Sequence, residues 1–409
     1  MTGPEWRRVD GVRQYGRGGI LGQGTTLAAN SGASRTTDVL SGLKHTPRRN
    51  ATTCSGNQSP CQRRSAWYPP AARKSDVSLR AASTVRAALV AIVAPAVFLC
   101  PAAFAQTPPP PVFVLNSLEA NVSVIDPVTW KEIRRIPTGK EPHHLYLTPD
   151  EKSLIIANAL GDSLTFVDPR TAEVQRTVRG IVDPYHLRFS PDMKWFVTAA
   201  NRLNHVDVYR WDGKDLTLAK RISTAKTPSH IWIDGKSATA YVTMQDSDEL
   251  VAVDLATQTI RWRVKTGPMP ADVYGGIDDR QVLVGLTGSD SVEVFDVSGK
   301  EPKSLRRIKT GDGAHAFRAA GDRRHVYVSN RVANTISKLD LQTLEVTATL
   351  PAPGGPDCMD ITAGGKLLLV TSRWSRKLTV VDTEQKKVVR QVNVGKSPHG
   401  VWTLDHVPR

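Results

Sequence analysis

A unit of 42–44 residues recurs along this chain. Each copy opens with a Pro or Gly turn, and a polar pair, an apolar strand and three further short strands follow. The third residue of the opening element falls at positions 144, 186, 230, 272, 315, 358 and 400, with steps of 42, 44, 42, 43, 43 and 42 residues. Repeats of this length that contain only short strands are typical of a β-propeller, in which each repeat supplies one blade.

The strands inside the repeats follow from alternating Val, Ile, Leu and aromatic residues, with Gly, Asp, Asn and Pro between them. The predicted second strands are Ser153–Asn158, Trp195–Ala199, Ala240–Met244, Gln281–Leu286, Val326–Asn330 and Leu367–Ser372. The predicted third strands are Leu164–Asp168, Val206–Arg210, Leu250–Asp254, Val292–Asp296, Ile336–Asp340 and Leu378–Asp382. No helix of useful length interrupts them, so the sequence predicts an all-β fold.

The two ends of the repeat region complement each other. The last repeat has only its first strand, Gly400–Leu404, whereas the first part of the region holds three strands, Val112–Asn116, Val122–Asp126 and Glu132–Ile136. Together they make one complete blade. The sequence therefore predicts seven blades, with the N-terminal strands pairing with the C-terminal strand to close the ring and leave no free edge. A tandem of two sandwiches is the rival fold, but it explains neither the sevenfold period nor the complementary ends.

Residues 77–105 have the pattern of a signal peptide. Arg80 and Arg86 form a basic segment, Ala87–Leu99 is apolar, and Ala103-Phe104-Ala105 is a small-x-small cleavage site. Export to the periplasm or the exterior is therefore expected. A lipoprotein anchor at Cys100 is the weaker alternative, because bulky residues precede this cysteine.

The remaining boundaries follow from composition. Residues 1–76 are rich in Gly, Ser, Thr and Arg, and we interpret them as disordered or as an extension foreign to the natural protein, with Val77 as the alternative start. Residues 106–111 are a Pro-rich linker, residues 112–404 are the propeller, and residues 405–409 are a short tail.

Charge does not indicate nucleic acid as a partner. The chain has 54 Lys and Arg against 39 Asp and Glu, a net charge of +15, but residues 1–105 hold 14 basic and 4 acidic residues. The rest holds 54 − 14 = 40 basic and 39 − 4 = 35 acidic residues, a net of only +5. Most of the basic excess therefore lies outside the repeats.

Several repeat segments resemble the YVTN-repeat β-propellers. The likeness rests on Val326-Tyr327-Val328-Ser329-Asn330, on the partial copy Ala240–Thr243, and on the connection from Ile136–Pro142 to Thr148–Lys152. It covers residues 112–404. The resemblance implies a fold whose members serve as surface proteins, binding modules, tetrapyrrole-handling proteins and redox subunits. The related haem d1 propellers have eight blades, whereas this chain has repeats for seven.

Two neighbouring columns of residues follow the opening turns. The first column is His144, His186, His230, Asp272, His315, Cys358 and Gly400. The second column is His143, Tyr185, Ser229, Ala271, Ala314, Asp357 and His399. The columns hold six of the 10 histidines of the chain. Since first strands line the channel of a propeller, both columns lie at one mouth of it. Side chains alternate along a strand, so only one column should face the axis.

The first interpretation of this ring is structural, with each histidine bonded to the next blade. The others are a metal or metallocofactor site and a metal-free ligand or catalytic site. Among ligands a metal is preferred, because imidazoles suit Cu, Zn, Fe or Ni and carboxylates are compatible ligands. The predicted metal ligands are His143, His144, His186, His230, Asp272, His315 and His399. The cofactor would be a transition metal or a haem-like group.

Loops between second and third strands should reach the same mouth. With Tyr185 from the ring, they supply the predicted ligand-binding residues Asn158, Asn330, Arg373 and Trp374. An arginine beside an aromatic wall is suited to a carboxylate or a phosphate. The lone Cys358 lies beside Asp357 and Asp360, whose negative field disfavours a reactive thiolate.

The sequence thus predicts an exported binding module whose ligand lies at the His-rich mouth of the channel. The alternatives are a lyase or lactonase-type enzyme that uses a channel histidine as general base, and a protein-interaction scaffold. The expected partner is a small molecule or a periplasmic protein rather than nucleic acid. We expect a monomer with no membrane span after cleavage of the signal peptide.

Overall fold

The computed structural model describes residues 109–408, together with the backbone of two short strands near the N-terminus. These two strands, β1 (Trp6–Val9) and β2 (Val12–Tyr15), form an antiparallel pair in a separate compact unit, Met1–Val97. The predicted signal peptide and the rest of residues 1–76 lie outside the described residues.

Residues 109–408 fold into seven four-stranded antiparallel sheets arranged as the blades of a propeller. In chain order the strands begin with β3 (Val112–Asn116), β4 (Asn121–Asp126) and β5 (Lys131–Pro137). Blade 1 has β6 (Pro142–Leu147), β7 (Leu154–Asn158), β8 (Ser163–Val167) and β9 (Val174–Arg179), with a 3-10 turn at Ala159–Gly161. Blade 2 has β10 (Pro184–Phe189), β11 (Trp195–Ala200), β12 (His205–Trp211) and β13 (Leu216–Ser223). Blade 3 has β14 (Pro228–Ile233), β15 (Thr239–Met244), β16 (Glu249–Asp254) and β17 (Thr259–Lys265).

The second half continues in the same order. Blade 4 has β18 (Pro270–Gly275), β19 (Gln281–Leu286), β20 (Ser291–Asp296) and β21 (Lys303–Lys309). Blade 5 has β22 (Ala314–Ala319), β23 (His325–Asn330), β24 (Thr335–Asp340) and β25 (Glu345–Pro351). Blade 6 has β26 (Pro356–Ile361), β27 (Leu367–Ser372), β28 (Lys377–Asp382) and β29 (Lys387–Asn393), and β30 (Pro398–Thr403) ends the series.

The ring closes as predicted. Strand β30 pairs with β3, and the seam blade has the order β30-β3-β4-β5. The pair places Phe113 opposite Trp402, and both side chains are buried. The prediction of seven blades with a mixed blade at the seam is therefore confirmed, and the observed strands begin and end within two residues of the predicted ones.

The core lies between neighbouring blades. Each middle strand is covered on both faces by adjacent blades, so β7 and β11 are buried along their whole length. One cluster joins blades 2 and 3 through Val206 and Val208 on one side and Ile231 and Val242 on the other. The outermost strands, such as β9, are mostly exposed. This burial explains why apolar residues run continuously in the inner strands and alternate in the outer ones.

Repeated polar residues fix the turns. The aspartate that ends the third strand caps the following turn, as where Asp126 Oδ1 accepts backbone N–H bonds from Val128 at 2.7 Å and Thr129 at 3.2 Å. The asparagine that ends the second strand bonds to the third strand, as where Asn158 Nδ2 donates to Thr165 Oγ1 at 2.9 Å. These residues recur because each blade needs the same turn chemistry.

A β-bulge interrupts the start of every first strand. In blade 3 the pairs Pro228↔Met244 and Ile231↔Val242 leave two residues, Ser229 and His230, opposite one residue of β15. The same shift occurs in all seven blades. A bulge re-aims side chains that a regular strand would send to opposite faces. The bulge therefore decides where the side chains of the two columns point at the mouth of the channel.

Candidate functional site: an axial histidine cluster

Both columns supply side chains to the axis of the propeller. His230 of the first column and His315 lie on blades 3 and 5, which are not neighbours, yet their ring centroids are 5.7 Å apart. His144 likewise lies 4.7 Å from His230 across blade 2. The prediction that only one column faces the axis is therefore wrong, because the bulge breaks the alternation on which it depends.

The register of blade 5 differs by one residue from the predicted one. Ala314 pairs with Asn330 as Pro356 pairs with Ser372, so Ala314 takes the place of the turn proline in this blade. His315 consequently belongs to the second column, beside Asp357, and Ala316 belongs to the first. The sequence alone aligns Gly313 with the turn prolines of the other blades, because glycine and proline both mark turns.

The histidine side of the cluster comes from the seam blade and blades 1 to 3. Ring centroids of His144, His186 and His230 lie 4.5–4.8 Å from one another. His143 contacts His399 at 3.6 Å and Tyr185 at 3.8 Å, again between centroids. His143, His230 and His399 are almost fully buried. Five imidazoles therefore share one desolvated volume.

Three of these rings are held by an acceptor on Nδ1. His144 Nδ1 donates to the Tyr185 carbonyl at 2.7 Å, and His399 Nδ1 donates to the His143 carbonyl at 2.8 Å. His230 Nδ1 lies 3.2 Å from Asp272 Oδ1. Because Nδ1 carries the proton in each of these rings when it is neutral, the free lone pair is on Nε2. A carbonyl or carboxylate behind Nδ1 is the usual outer partner of a metal-binding histidine.

Several imidazole nitrogens of this side have no hydrogen-bond partner among the described residues. They are Nε2 of His143, Nδ1 of His186, Nε2 of His230 and Nε2 of His399, whereas Nδ1 of His230 has only the Asp272 carboxylate oxygen, 3.2 Å away and outside hydrogen-bond geometry. An unpaired buried polar atom is costly, so four such atoms in one cluster favour a ligand that supplies the missing partners.

Four of these histidines are neutral at neutral pH. Burial lowers the pKa of His143, His144, His186 and His399 well below 6.5, and the neighbouring histidines lower it further. Although burial opposes ionisation of Asp272, the adjacent His230 lowers the pKa of this carboxyl group. Neutral imidazoles beside an ionised carboxylate are the protonation states in which a metal ion is bound.

The arginine side of the cluster lies on blades 5 and 6. Asp357 is fully buried and accepts from Arg331 Nη2 at 2.6 Å and from Arg373 Nη1 at 2.9 Å. Both arginines are themselves nearly buried. Although burial opposes ionisation of Asp357, Arg331 holds its pKa well below 3.8. Two arginines and one aspartate thus form a buried ion cluster.

His315 belongs to this arginine side. Its Nδ1 bonds to Thr287 Oγ1 at 3.0 Å, and its Nε2 accepts from Arg331. Burial, followed by the charge of Arg331, lowers the pKa of His315 to about 4. This imidazole is therefore neutral and already has a cation in front of its lone pair.

Two groups of three residues can each present ligand atoms within 4.8 Å of one another: His143, His144 and His399, and His315, Asp357 and His399. The second group is already neutralised by Arg331 and Arg373. A metal ion there would approach two guanidinium groups. Within residues 109–408 no arginine donates a hydrogen bond to a ring nitrogen of the first group, so the histidine side is the better metal site.

The other predicted residues divide between the cluster and the blades. Tyr185 and Arg373 belong to the cluster, Tyr185 through its ring on His143 and its carbonyl on His144. Asn158 and Asn330 are buried in the blades and bond to third-strand hydroxyl groups. Trp374 lies 38% exposed on a loop. The amide nitrogens of both asparagines therefore serve the blades, and ligand binding by these two residues stays a prediction.

A cavity of about 100 Å³ occupies the channel next to the first column. Its polar and aromatic lining includes His144, His186, His230, Asp272, Cys358, Arg188, Trp232 and Tyr274. The second column does not line it. Burial and the charge of Asp357 raise the pKa of Cys358 well above 9, so this thiol is protonated.

Sequence reasoning missed Arg331 and the aromatic and basic residues deeper in the channel. Arg331 follows β23 as Arg373 follows β27, so a loop-by-loop alignment would have found it. Arg188 and Trp232 lie two residues beyond the first column, where a third column could have been read.

The site and fold define a seven-bladed propeller with a histidine-rich axis. The chain belongs to the YNCE-like beta-propeller family, which matches residues 76–409. A relative, the uncharacterized protein YncE of Salmonella typhi, is 26% identical over 183 residues, which is 44% of this chain and 51% of the relative. The chain thus spans about half the length of the curated relatives it matches.

Solved structures show the same fold. A functionally unknown protein from Desulfotomaculum acetoxidans matches with a TM-score of 0.63 and 15% identity, over 72% of this chain and 98% of that protein. The periplasmic gluconolactonase PpgL of Pseudomonas aeruginosa matches with a TM-score of 0.63 and 18% identity, over 73% of this chain and 99% of the enzyme. At these identities the likeness shows the fold alone. Within residues 109–408 no helix has the length and apolar character of a membrane span.

Proposed function

We propose that this protein is an exported propeller that binds a transition-metal ion on the histidine side of its axial cluster. One observation carries the proposal. Buried, neutral imidazoles converge there with unpaired nitrogens, and three of them are oriented by an acceptor on Nδ1. Nitrogen ligands of this kind suit Zn, Cu, Ni or Fe rather than Mg or Ca.

The residues proposed to hold the ion are His143, His144 and His399, whose ligand nitrogens lie within 4.8 Å of one another. His186 and His230 lie against His144 and are further candidates. The bound ion would take the lone pairs that donation from Nδ1 leaves on Nε2 of His144 and of His399.

Export is the second part of the proposal. It rests on the basic, apolar and small-residue segments of residues 77–105. A similar fold occurs in a protein described as periplasmic, the gluconolactonase PpgL. Detection of the chain in a periplasmic or secreted fraction, with its N-terminus at Gln106, tests this part.

A lactonase or lyase is the other candidate, favoured by the histidines that line the channel cavity. A general base works best when its pKa lies near the working pH. Burial lowers the pKa of His144 and His186 well below 6.5. These imidazoles are therefore weak bases but competent metal ligands, and the metal-binding function is the better supported of the two.

The test measures metal bound by the full chain. The protein is stripped with a chelator, titrated in turn with Zn²⁺, Ni²⁺, Cu²⁺ and Co²⁺, and analysed for metal after gel filtration. We expect one ion to be retained per chain, and Co²⁺ to give a visible spectrum of nitrogen coordination. His144→Ala and His399→Ala should each weaken binding by at least about 100-fold.

His325→Ala is the matched control. This histidine lies outside the cluster and bonds to Asp322 at 2.7 Å, so its loss should leave the affinity unchanged. A folded protein that retains none of the four metals would contradict the proposal. Equal loss of metal in the His325→Ala variant would show that binding is not at the cluster.

A further inference from the structure

The end of the channel cavity that lies away from the histidines has a different chemical character. Two residues beyond the first column, Arg188, Trp232 and Tyr274 line the same space. Phe317 and Met359 add apolar wall. The cavity therefore runs from neutral imidazoles at one end to a guanidinium group among aromatic rings at the other.

Arg188 is the cation available to this cavity. Its guanidinium carbon lies 4.2 Å from the Trp232 ring centroid, which fixes the plane of the group. Its Nη1 donates to the Ile231 carbonyl at 3.3 Å. A guanidinium has five N–H donors, so this bond leaves several unused. Among residues 109–408 no carboxylate lies within ion-pair distance of Arg188.

The other charged groups of the cavity are already engaged. Asp272 accepts backbone N–H bonds from Val273 at 2.9 Å and from Phe317 at 2.8 Å, and it lies beside His230. Arg318 donates to Asp360 at 2.8 Å and to the Val407 carbonyl at 2.7 Å. An anion that entered the channel would therefore meet Arg188 as its counter-ion.

We propose that the channel binds a small carboxylate with a flat apolar body. The carboxylate pairs with the Arg188 guanidinium, and the apolar body lies along Trp232 and Tyr274, with its far end toward His144 and His186. A planar carboxylate matches the fork of an arginine, and the aromatic walls favour a flat body over a hydrated phosphate. The geometry that carries this site does not include the metal, so it stands or falls independently of the proposed function.

The experiment uses the full chain after chelator treatment, with benzoate as the probe, in isothermal titration calorimetry. Benzamide is the neutral probe of the same shape, and acetate lacks the apolar body. Because a hydrogen bond to a charged group is stronger than a neutral one, benzoate should bind about 10-fold or more tightly than benzamide. Acetate should also bind more weakly than benzoate.

Arg188→Gln should lower the affinity for benzoate by about 10- to 100-fold. Arg210→Gln is the matched control, because Arg210 also lies over a tryptophan, 4.7 Å from the Trp195 ring, but does not line the cavity. The control should bind benzoate as the parent chain does. If Arg188→Gln fails to fold, the proposal is tested with Arg188→Lys and with the comparison of benzoate and benzamide on the parent chain.

Equal affinities for benzoate and benzamide would overturn the proposal, as would an Arg188→Gln variant that binds like the parent. Failure of every carboxylate to bind the folded parent would do the same. If the stripped protein binds benzoate but retains no metal, the carboxylate site stands and the metal site fails. If the protein retains metal but binds no benzoate, the metal site stands and the carboxylate site fails.

Discussion

The two sides of the axial cluster are built on equivalent strands of the repeat, yet their electrostatics differ, because loops add Arg331 and Arg373 to only one of them. On the histidine side, neutral rings have unpaired nitrogens. On the arginine side, Asp357 is bonded to two guanidinium groups and His315 faces Arg331. The backbone is the same bulged strand in both. The difference shows that a symmetric scaffold places the side chains, whereas the residue type in each blade decides which side can take a ligand.

The comparison implies a division of labour. On the arginine side the charge of Asp357 is matched by Arg331 and Arg373, although Arg331 Nε and Arg373 Nη2 have no hydrogen-bond partner among the described residues. This ion cluster joins blades 5 and 6 at the axis. The histidine side is left with lone pairs that the folded chain does not use. We therefore expect substitutions on the arginine side to change stability and substitutions on the histidine side to change metal affinity.

The largest expected effect is on the arginine side. Asp357→Ala would leave Arg331 and Arg373 buried without their carboxylate, which should cost about 3–5 kcal/mol of unfolding free energy. Urea denaturation of the stripped protein measures it. Asp215→Asn removes the exposed pair with Arg176, at 2.8 Å, and should cost less than about 1 kcal/mol. Equal costs for both variants would show that the buried cluster adds no special stability.

A smaller effect, on metal affinity, is expected from the carboxylate that lies next to His230 on the histidine side. Asp272→Asn removes the carboxylate beside His230 Nδ1 and should weaken metal binding by about 10- to 100-fold without loss of fold. His315→Ala should leave metal affinity unchanged, because this ring already faces Arg331. Competition titration against a chromophoric chelator measures both affinities. If His315→Ala weakens metal binding as much as Asp272→Asn does, the division between the two sides is wrong.

The smallest effect concerns pH. The buried histidines have a lower pKa in the folded chain than in the unfolded chain, where it is near 6.5. Below pH 6.5 the unfolded chain binds more protons, so stability should fall as the pH falls toward the folded pKa, which for His315 is about 4. Each such histidine contributes at most about 1.4 kcal/mol per pH unit.

Urea denaturation of the stripped protein between pH 7.5 and pH 4 tests this slope. His186→Gln should lower the slope by one histidine's share. Stability that stays constant over this window would show that the cluster histidines are protonated in the folded chain or already protected in the unfolded one.

Much of the fold was predictable from the sequence because it depends on periodicity. The spacing of the opening turns fixed the number of blades, and the lone first strand Pro398–Thr403 required the three strands from Val112 to close the ring. Asp126 and Asn158 marked turns by local chemistry that acts within a few residues. The collection of histidines at the start of the first strands was also visible, since it needs only the alignment of repeats.

The geometry of the cluster could not be predicted in this way. A bulge of one residue defeats the alternation rule, and the sequence carries no separate signal for it. The shift of His315 by one position is decided by the pairing of Ala314 with Asn330. Arg331 and Arg373 come from loops, and Arg331 of blade 5 reaches Asp357 of blade 6 only because neighbouring blades close on one axis.

The sequence by itself determined the architecture, its closure and the residues available at the axis, because turn chemistry and strand periodicity are local. Only the tertiary structure decided which of those residues are already paired. Arg331 contacts His315 of its own blade and Asp357 of the next blade, whereas Nε2 of His143 and of His399 has no hydrogen-bond partner among the described residues. Burial and ion pairing depend on contacts across blades, and these form only when the whole ring is closed.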